Sequence, residues 1–338
     1  MKLDLAQLER AAAETGFQVE PRQKVLRLLD LLDGLRSHPF LAERLVLKGG
    51  TALNLFVLES TRLSVDVDLN YVGALERETM LAERPQVERA VRAVCERQDI
   101  GVRRVPGDHA GGKWRLTYDR AEGGTGTLEL DLNFVLRTPL WPPTRRDSPE
   151  ILGLAARRVP VLDLHELAGG KLAALFGRSA SRDLYDASRI LARTDLDRRR
   201  LRLAFVLYGA MNRRDWRTVS IEDVDMLPGD AERMLVPLLR ADLAPHRGEV
   251  EEWSARLVER CRERLSAVLP LEPHEREFLE RVNGQGEVRP DLLTEERDMH
   301  ERIRRHPALA WKALNVRRRS GRAAAGDEQP ATPGSGET

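Results

Sequence analysis

Asp66 and Asp68 lie one residue apart in LSVDVDLN, where Val65, Val67 and Leu69 alternate with Ser64, Asp66, Asp68 and Asn70. A period of two is that of a strand, so both carboxylates share one face. Like charges this close resist ionising together unless a cation sits between them. A second alternating segment, GTLELDLNFV, sets Glu129, Asp131 and Asn133 against Leu128, Leu130, Leu132 and Phe134. If the two strands are neighbours, Asp66, Asp68 and Asp131 converge. Hard oxygen ligands without Cys or His suit Mg²⁺ or Mn²⁺, and two such ions can clamp the attacking and leaving oxygens of an in-line phosphoryl displacement. Upstream, LVLKGGT ends an apolar run in Gly49-Gly50-Thr51. Such a turn into a helix leaves backbone N–H groups free to hold phosphates. Either signal alone has an ordinary reading, a solvated sheet face or a plain strand-to-helix turn. Their order along the chain favours the metal and phosphate reading.

The elements that must position these residues follow from periodicity. Residues 1–45 carry two apolar stripes at helical spacing, Leu3–Ala12 and Val25–Leu32. LVLKGG is a short strand, and Thr51 is expected to cap a helix over TALNLFVLE. LSVDVDLNYV is a strand, residues 75–98 a helix, and KWRLTYDR and GTLELDLNFV a hairpin around EGGTG. GGKWR opens a strand and lacks the spacing of a phosphate loop. A Pro-rich connection spans 137–150. From about 163 to 316 only helical patterns occur, and the Gly- and Pro-rich end, 317–338, reads as a disordered tail. The expected fold class is α+β, a mixed sheet followed by a helical domain, divided as 1–45, 46–162, 163–316 and the tail.

The chain has 338 residues, 41% of them hydrophobic, enough for a sizeable core. Its 55 Lys and Arg nearly cancel 54 Asp and Glu, so any nucleic-acid surface must be a local patch. Two distant cysteines, Cys95 and Cys261, argue for a reducing compartment and against zinc or a disulfide scaffold. No apolar run nears the roughly 18 residues of a membrane span, and the N-terminus lacks a signal-peptide pattern. A cytoplasmic protein with no membrane partner is expected.

A second constellation lies in HELAGGKLAALFGRSASRDLYD. Asp163 and Glu166 have capping-box spacing, and Gly177 is a plausible helix stop. Lys171, among small residues that let a ligand approach, either pairs with triphosphate oxygens or snorkels to solvent. If it is a ligand contact, alanine there is expected to cost little stability, since Ala is the better helix former. Arg178 follows seven positions later. Asp183 and Asp186 share a helix face, where Asp186 could equally be an ordinary partner of Arg189. His165 has no nucleophile to pair with and reads as structural; Glu222 to Asp225 read as solvated. Basic runs at Arg198–Arg200 with Arg202, at Arg213, Arg214 and Arg217, and at Arg317–Arg319 are solvated faces or RNA contacts. Trp216 is either a base-stacking surface or a core anchor.

The order of glycine turn, Asp-x-Asp strand and neighbouring strand aspartate resembles polymerase-β-like nucleotidyltransferases. More narrowly, Lys48–Leu53 with Arg62, Ser64, Asp66, Asp68 and Leu69 is similar to the AbiEii/AbiGii toxin family, including the MenT toxins. The likeness continues through Glu166, Lys171, Ala174, Leu175, Arg178, Arg182, Asp183, Tyr185 and Asp186, and covers about residues 40–190. It implies a polymerase-β-like core in a metal-dependent nucleotidyltransferase toxin of a toxin–antitoxin pair. Nucleotides would pass from an NTP to an RNA acceptor, at the 3′ end of tRNA, and the antitoxin would be a separate protein. Asp66, Asp68, Asp131, Lys171 and Asp186 would be catalytic, the first three holding Mg²⁺ or Mn²⁺. Lys48, Gly49, Gly50, Thr51, Ser64 and Arg178 would bind the nucleotide. The alternatives from other classes are a non-catalytic nucleotide- or RNA-binding regulator and an enzyme that modifies protein.

Overall fold

The computed structural model describes residues 3–105 and 110–326. Two helices open the chain, α1 (Leu5–Thr15) and α2 (Val19–Ser37). Asp4 caps the first by accepting from the Gln7 amide, and Gly16 ends it in the left-handed conformation. The strand β1 (Leu45–Lys48) runs into α3 (Gly49–Ala52), which continues as a π turn over Leu53–Val57. Next come β2 (Asp66–Tyr71), α4 (Arg77–Arg97), β3 (Gly101–Arg104), β4 (Gly111–Asp119), β5 (Thr125–Asn133), β6 (Thr144–Arg146) and β7 (Val159–Val161). Helices follow: α5 (Leu164–Arg178), α6 (Ser181–Leu191), α7 (Arg198–Ala210), α8 (Val250–Arg264), α9 (Pro273–Glu280), α10 (Arg297–Arg304) and α11 (Pro307–Gly326), with short 3₁₀ and π turns between them.

The strands form one mixed sheet in the order β3-β4-β5-β2-β1-β7-β6. The α+β class expected from the alternating and helical patterns is the fold found. The hairpin β4–β5 is in unbroken register from Gly111 opposite Asn133 to Asp119 opposite Thr125, and its turn places Gly123 and Gly124 at positive φ. Along β5, buried Leu128, Leu130 and Leu132 alternate with less buried Glu129, Asp131 and Asn133, so the carboxylate face is the one turned from the main core.

The hydrophobic core is continuous from Phe17 to Leu309 and joins sheet and helices across the 162–163 boundary. Trp216 is 0% exposed, its ring 5.6 Å from Phe176 and 5.2 Å from Phe205. It anchors the helical half, which removes the base-stacking reading of that residue. No helix among the described residues is long and apolar enough to cross a membrane. At the end of the chain, α11 continues past Arg317 to Gly326, where a tail was expected to begin; the remainder, 327–338, lies outside the described residues.

The helices α5 and α7 pack face to face at a glycine. A Cβ on Gly169 would fall 2.6 Å from the Ala204 Cβ and 2.7 Å from its carbonyl carbon. Alanine inside a helix ordinarily stabilises it by about 0.5–1 kcal/mol relative to glycine. At Gly169 the sign should reverse, because backbone cannot yield as a flexible side chain does. Gly169→Ala is expected to cost about 1–3 kcal/mol in urea unfolding; a stabilised variant would show that the two helices can separate without penalty.

Candidate active site

The site begins with register. β2 and β5 are parallel neighbours, with Asp68 beside Asp131 and Asp66 beside Glu129. On the outer flanks Lys48 of β1 pairs with Asp68, and Lys113 of β4 pairs with Asp131. One row across four strands therefore reads Lys48, Asp68, Asp131, Lys113. Adjacent strands are about 4.8 Å apart, so the two aspartates repel each other and a cation closes each end of the row. Burial pushes the Asp131 carboxyl above the usual range; Lys48 opposes the shift and Asp68 reinforces it. Asp66 is also raised, first by burial and then by Asp68 and Glu129, against the pull of Arg182, whose Nη1 lies 3.4 Å from Asp66 Oδ2. Lys113 bridges Glu129 at 2.7 Å.

Asp66, two residues along β2, stands a row away from Asp131, about 6.6 Å of strand. Among the described residues no group of three or more His, Cys, Asp or Glu side chains is gathered to hold a metal unaided. Of the three aspartates, Asp68 and Asp131 are the two that register sets side by side, while Asp66 is set beside Glu129. This matches the habit of Mg²⁺, which keeps waters and takes one or two carboxylates together with substrate phosphates. The donors are hard oxygens, and the Asp68 carboxylate lies against the glycine turn: a Cβ on Gly49 would sit 2.2 Å from Asp68 Oδ2. Gly49 also has φ +73°. Two independent constraints, conformation and space, therefore require glycine there.

Lys48, not Thr51, is the residue that precedes α3. Thr51 lies inside the helix, is buried, and donates its hydroxyl hydrogen bond to the Asp66 carbonyl. It ties the glycine turn to the carboxylate strand instead of capping. A Cβ on Gly50 would lie 2.9 Å from Ser64 Oγ and 3.9 Å from Lys171 Nζ, so the turn backbone meets both side chains.

Lys171 is 8% exposed, so it does not snorkel. Its Nζ lies 2.8 Å from Asp183 Oδ1 and 2.9 Å from Asp186 Oδ2. Burial pulls the ammonium down in pKa, but the two aspartates outweigh it and the net shift is upward. Asp186 is fully buried and held by an Arg62 fork, Nε to Oδ1 at 2.7 Å and Nη2 to Oδ2 at 2.6 Å. Asn54 Nδ2 adds a third donor at 3.0 Å. Against the upward push of burial, Arg62 and Lys171 hold this carboxyl well below the usual range. Arg189 is not its partner; that guanidinium donates to the Glu59 carbonyl. Asp183 is shared with Arg178 at 2.8 Å. The buried setting also overturns the expectation that Lys171→Ala would be benign, since it would leave two carboxylates short of a partner. Arg62 and Asn54 carried roles that local sequence did not assign; the available signal was a polar Asn inside the apolar run TALNLFV.

Two cavities meet at this chemistry. A larger one of about 970 Å³ runs from Lys48, Gly49 and Asp68 towards α7 and α11. A smaller one of about 290 Å³ is walled by Ser64, Asp66, Lys113, Arg178 and Arg182. Gly50, Asp68, Asp131, Lys171 and Arg178 border both.

Other readings resolve as scaffold. Asp163 caps α5 through the His165 amide, but Glu166 does not complete the capping box. Instead its carboxylate turns inward, accepting from the Leu140 amide and the Tyr208 hydroxyl. His165 accepts from the Asp197 amide and contacts Asp163, a structural role. Arg202 is buried against Glu275, Arg200 lies on Trp141 at 4.3 Å and reaches Asp163, and Arg214 and Arg217 bind Asp223, Asp215 and Glu280. Much of the basic run at 198–217 is thus engaged within the protein. Arg213 is exposed and lines the larger cavity.

The mixed sheet brings paired aspartates, a glycine turn and a buried lysine together, and the family to which the chain belongs gives its class, a nucleotidyltransferase. The chain belongs to the AbiEii family: the family model "Nucleotidyl transferase AbiEii toxin, Type IV TA system" matches residues 30–303. It is therefore a nucleotidyltransferase toxin of a type IV toxin–antitoxin family, with a nucleotide substrate and a separate antitoxin. Among solved structures, the nucleotidyltransferase toxin MenT4 from Mycobacterium tuberculosis H37Rv superposes with a TM-score of 0.60 at 22% identity, over 90% of this chain and 99% of that one. No curated protein sequence matches.

Glu166 generates a prediction. Burial pushes its pKa up to about 7, from about 4.3 in an unfolded chain. Between those values the folded protein holds a proton that the unfolded chain has lost, so stability from this group falls as pH rises. Glu166→Gln keeps an acceptor for Leu140 and gains a donor for Tyr208. Relative to wild type it should become more stable from pH 5 to pH 8, by on the order of 3 kcal/mol. Parallel pH profiles in urea unfolding would argue against this ionisation.

Proposed function

We propose that the protein uses Mg²⁺ or Mn²⁺ to transfer nucleotides from an NTP to an RNA acceptor, at the 3′ end of tRNA. The observation that carries this reading is the in-register Asp68–Asp131 pair, set between Lys48 and the glycine turn on one side and Lys113 on the other, with buried Lys171 beside Gly50. Asp68 and Asp131, with Asp66 alongside, would hold the metal. When bound, it would offset charge on the phosphates and on the attacking and leaving oxygens.

The chain's own residues divide the remaining work. Gly49 and Gly50 bring backbone close to the phosphates, beside Ser64. Lys171 and Arg178 border both cavities and supply positive charge for the triphosphate. Asp131, raised by burial and by Asp68, is the group to accept the proton of the acceptor hydroxyl as its oxygen attacks the α-phosphorus and pyrophosphate departs. Asp186 touches Arg62, Lys171 and Asn54, so it acts on the reaction by fixing Lys171.

Incubation with labelled NTPs, Mg²⁺ and bulk RNA tests the reading. Label in RNA supports it, label in protein indicates a protein acceptor, and no transfer favours a nucleotide- or RNA-binding regulator. Asp68→Ala should lower transfer by roughly a thousandfold or more, the scale of a missing metal contribution. Its thermal midpoint without added metal should not fall, because one of two repelling carboxylates is gone. Wild-type transfer in this variant would remove Asp68 from the site.

A further inference from the structure

Trp311 is 67% exposed, the largest exposed fraction among the described large hydrophobic side chains. Nothing about its helix forces this. α11 already buries Leu309 and Ala313, and it is fixed by Lys312 Nζ donating to the Asn212 carbonyl at 2.9 Å and by Arg317 donating to the Gly286 carbonyl. Trp311, Asn315 and Arg319, spaced by four, share one side of the helix, and all three line the larger cavity, as does Arg213. Arg213 and Arg319 are exposed and have no ion pair with a described residue, unlike the neighbouring Arg214 and Arg217. The acids of this cavity, Asp68, Asp131 and Glu166, belong to the sheet and α5. Its α11 side is cationic and carries the free indole.

We propose that this side of α11, with Arg213, is the subsite for the terminal nucleotides of the acceptor RNA, and that Trp311 is the surface on which a base stacks. An exposed aromatic beside unpaired arginines is the chemistry that holds single-stranded nucleic acid: the ring takes a base face and the guanidiniums take phosphates. The strand end then points from α11 towards Asp68 and Asp131, where its hydroxyl is needed. The inference rests on the RNA-acceptor reading above and moves the RNA surface away from Arg198–Arg200.

Binding of a 5′-fluorescent single-stranded RNA to the full chain, read by anisotropy without NTP, tests the subsite apart from catalysis. Trp311→Ala should weaken binding about tenfold or more, and Trp311→Phe should keep most of the affinity. Arg213→Ala with Arg319→Ala should flatten the dependence of log affinity on log salt by about 0.7 for each phosphate that is no longer neutralised. Unchanged RNA affinity in Trp311→Ala across the salt titration overturns the proposal. An equal loss of NTP affinity also overturns it, assigning the indole to the donor base. If the wild-type chain binds no RNA, the acceptor reading falls first and the subsite with it.

Discussion

The structure depends on one buried carboxylate. Asp186 has no contact with water, yet it stays ionised because Arg62, Lys171 and Asn54 direct donors at both of its oxygens. Burying a charge is costly unless it is paired and hydrogen-bonded. This one brings together the π turn after α3, the segment before β2, α5 and α6. With Asp183 and Arg178 the cluster holds three cations and two anions, so it is locally positive. That is the sign a triphosphate needs, and it is created without an exposed lysine that would be free to wander. The cost of breaking such a set explains why Lys171 is held at a fixed place beside Gly50.

The sheet imposes a complementary constraint. A strand slip of one residue would turn Asp66 and Asp68 into the core and Val67 and Leu69 out. The leucines of β5 and the parallel pairing with β2 therefore fix which carboxylates meet. The Lys48–Asp68–Asp131–Lys113 row then follows from backbone register alone. Its terminal lysines reduce the mutual repulsion of the central pair without occupying the space between them. Gly49 belongs to the same constraint, since any side chain there would displace the Asp68 carboxylate.

Local periodicity made the sheet half readable. Alternation located β2, β4 and β5, glycines located the hairpin turn, and the ordered motifs pointed to the family. What sequence could not supply was partner choice over long separations. The arginines at 200, 202, 214 and 217 looked like a basic face because their partners, Asp163, Glu275, Asp223 and Glu280, lie far along the chain or on other elements. Glu166 had the spacing of a cap, but Tyr208 and the Leu140 amide offered it buried donors. Trp216 sat among arginines in sequence and among Phe176 and Phe205 in space. In each case tertiary packing decided between two readings that local sequence left open.

Charge is divided between the two halves of the fold. The sheet contributes Asp66, Asp68 and Asp131, and the helices contribute Lys171 and Arg178, with Lys48 at the junction of strand and turn. The proposed phosphoryl transfer draws its carboxylates from the sheet and Lys171 and Arg178 from α5. For the proposed reaction the continuous core across 162–163 matters beyond stability: a hinge there would let the sheet carboxylates drift away from Lys171 and Arg178. In-line displacement tolerates little such drift, because attacking oxygen, phosphorus and leaving oxygen must stay aligned. A rigid seam closed by the Arg62–Asp186–Lys171 ion chain meets that demand.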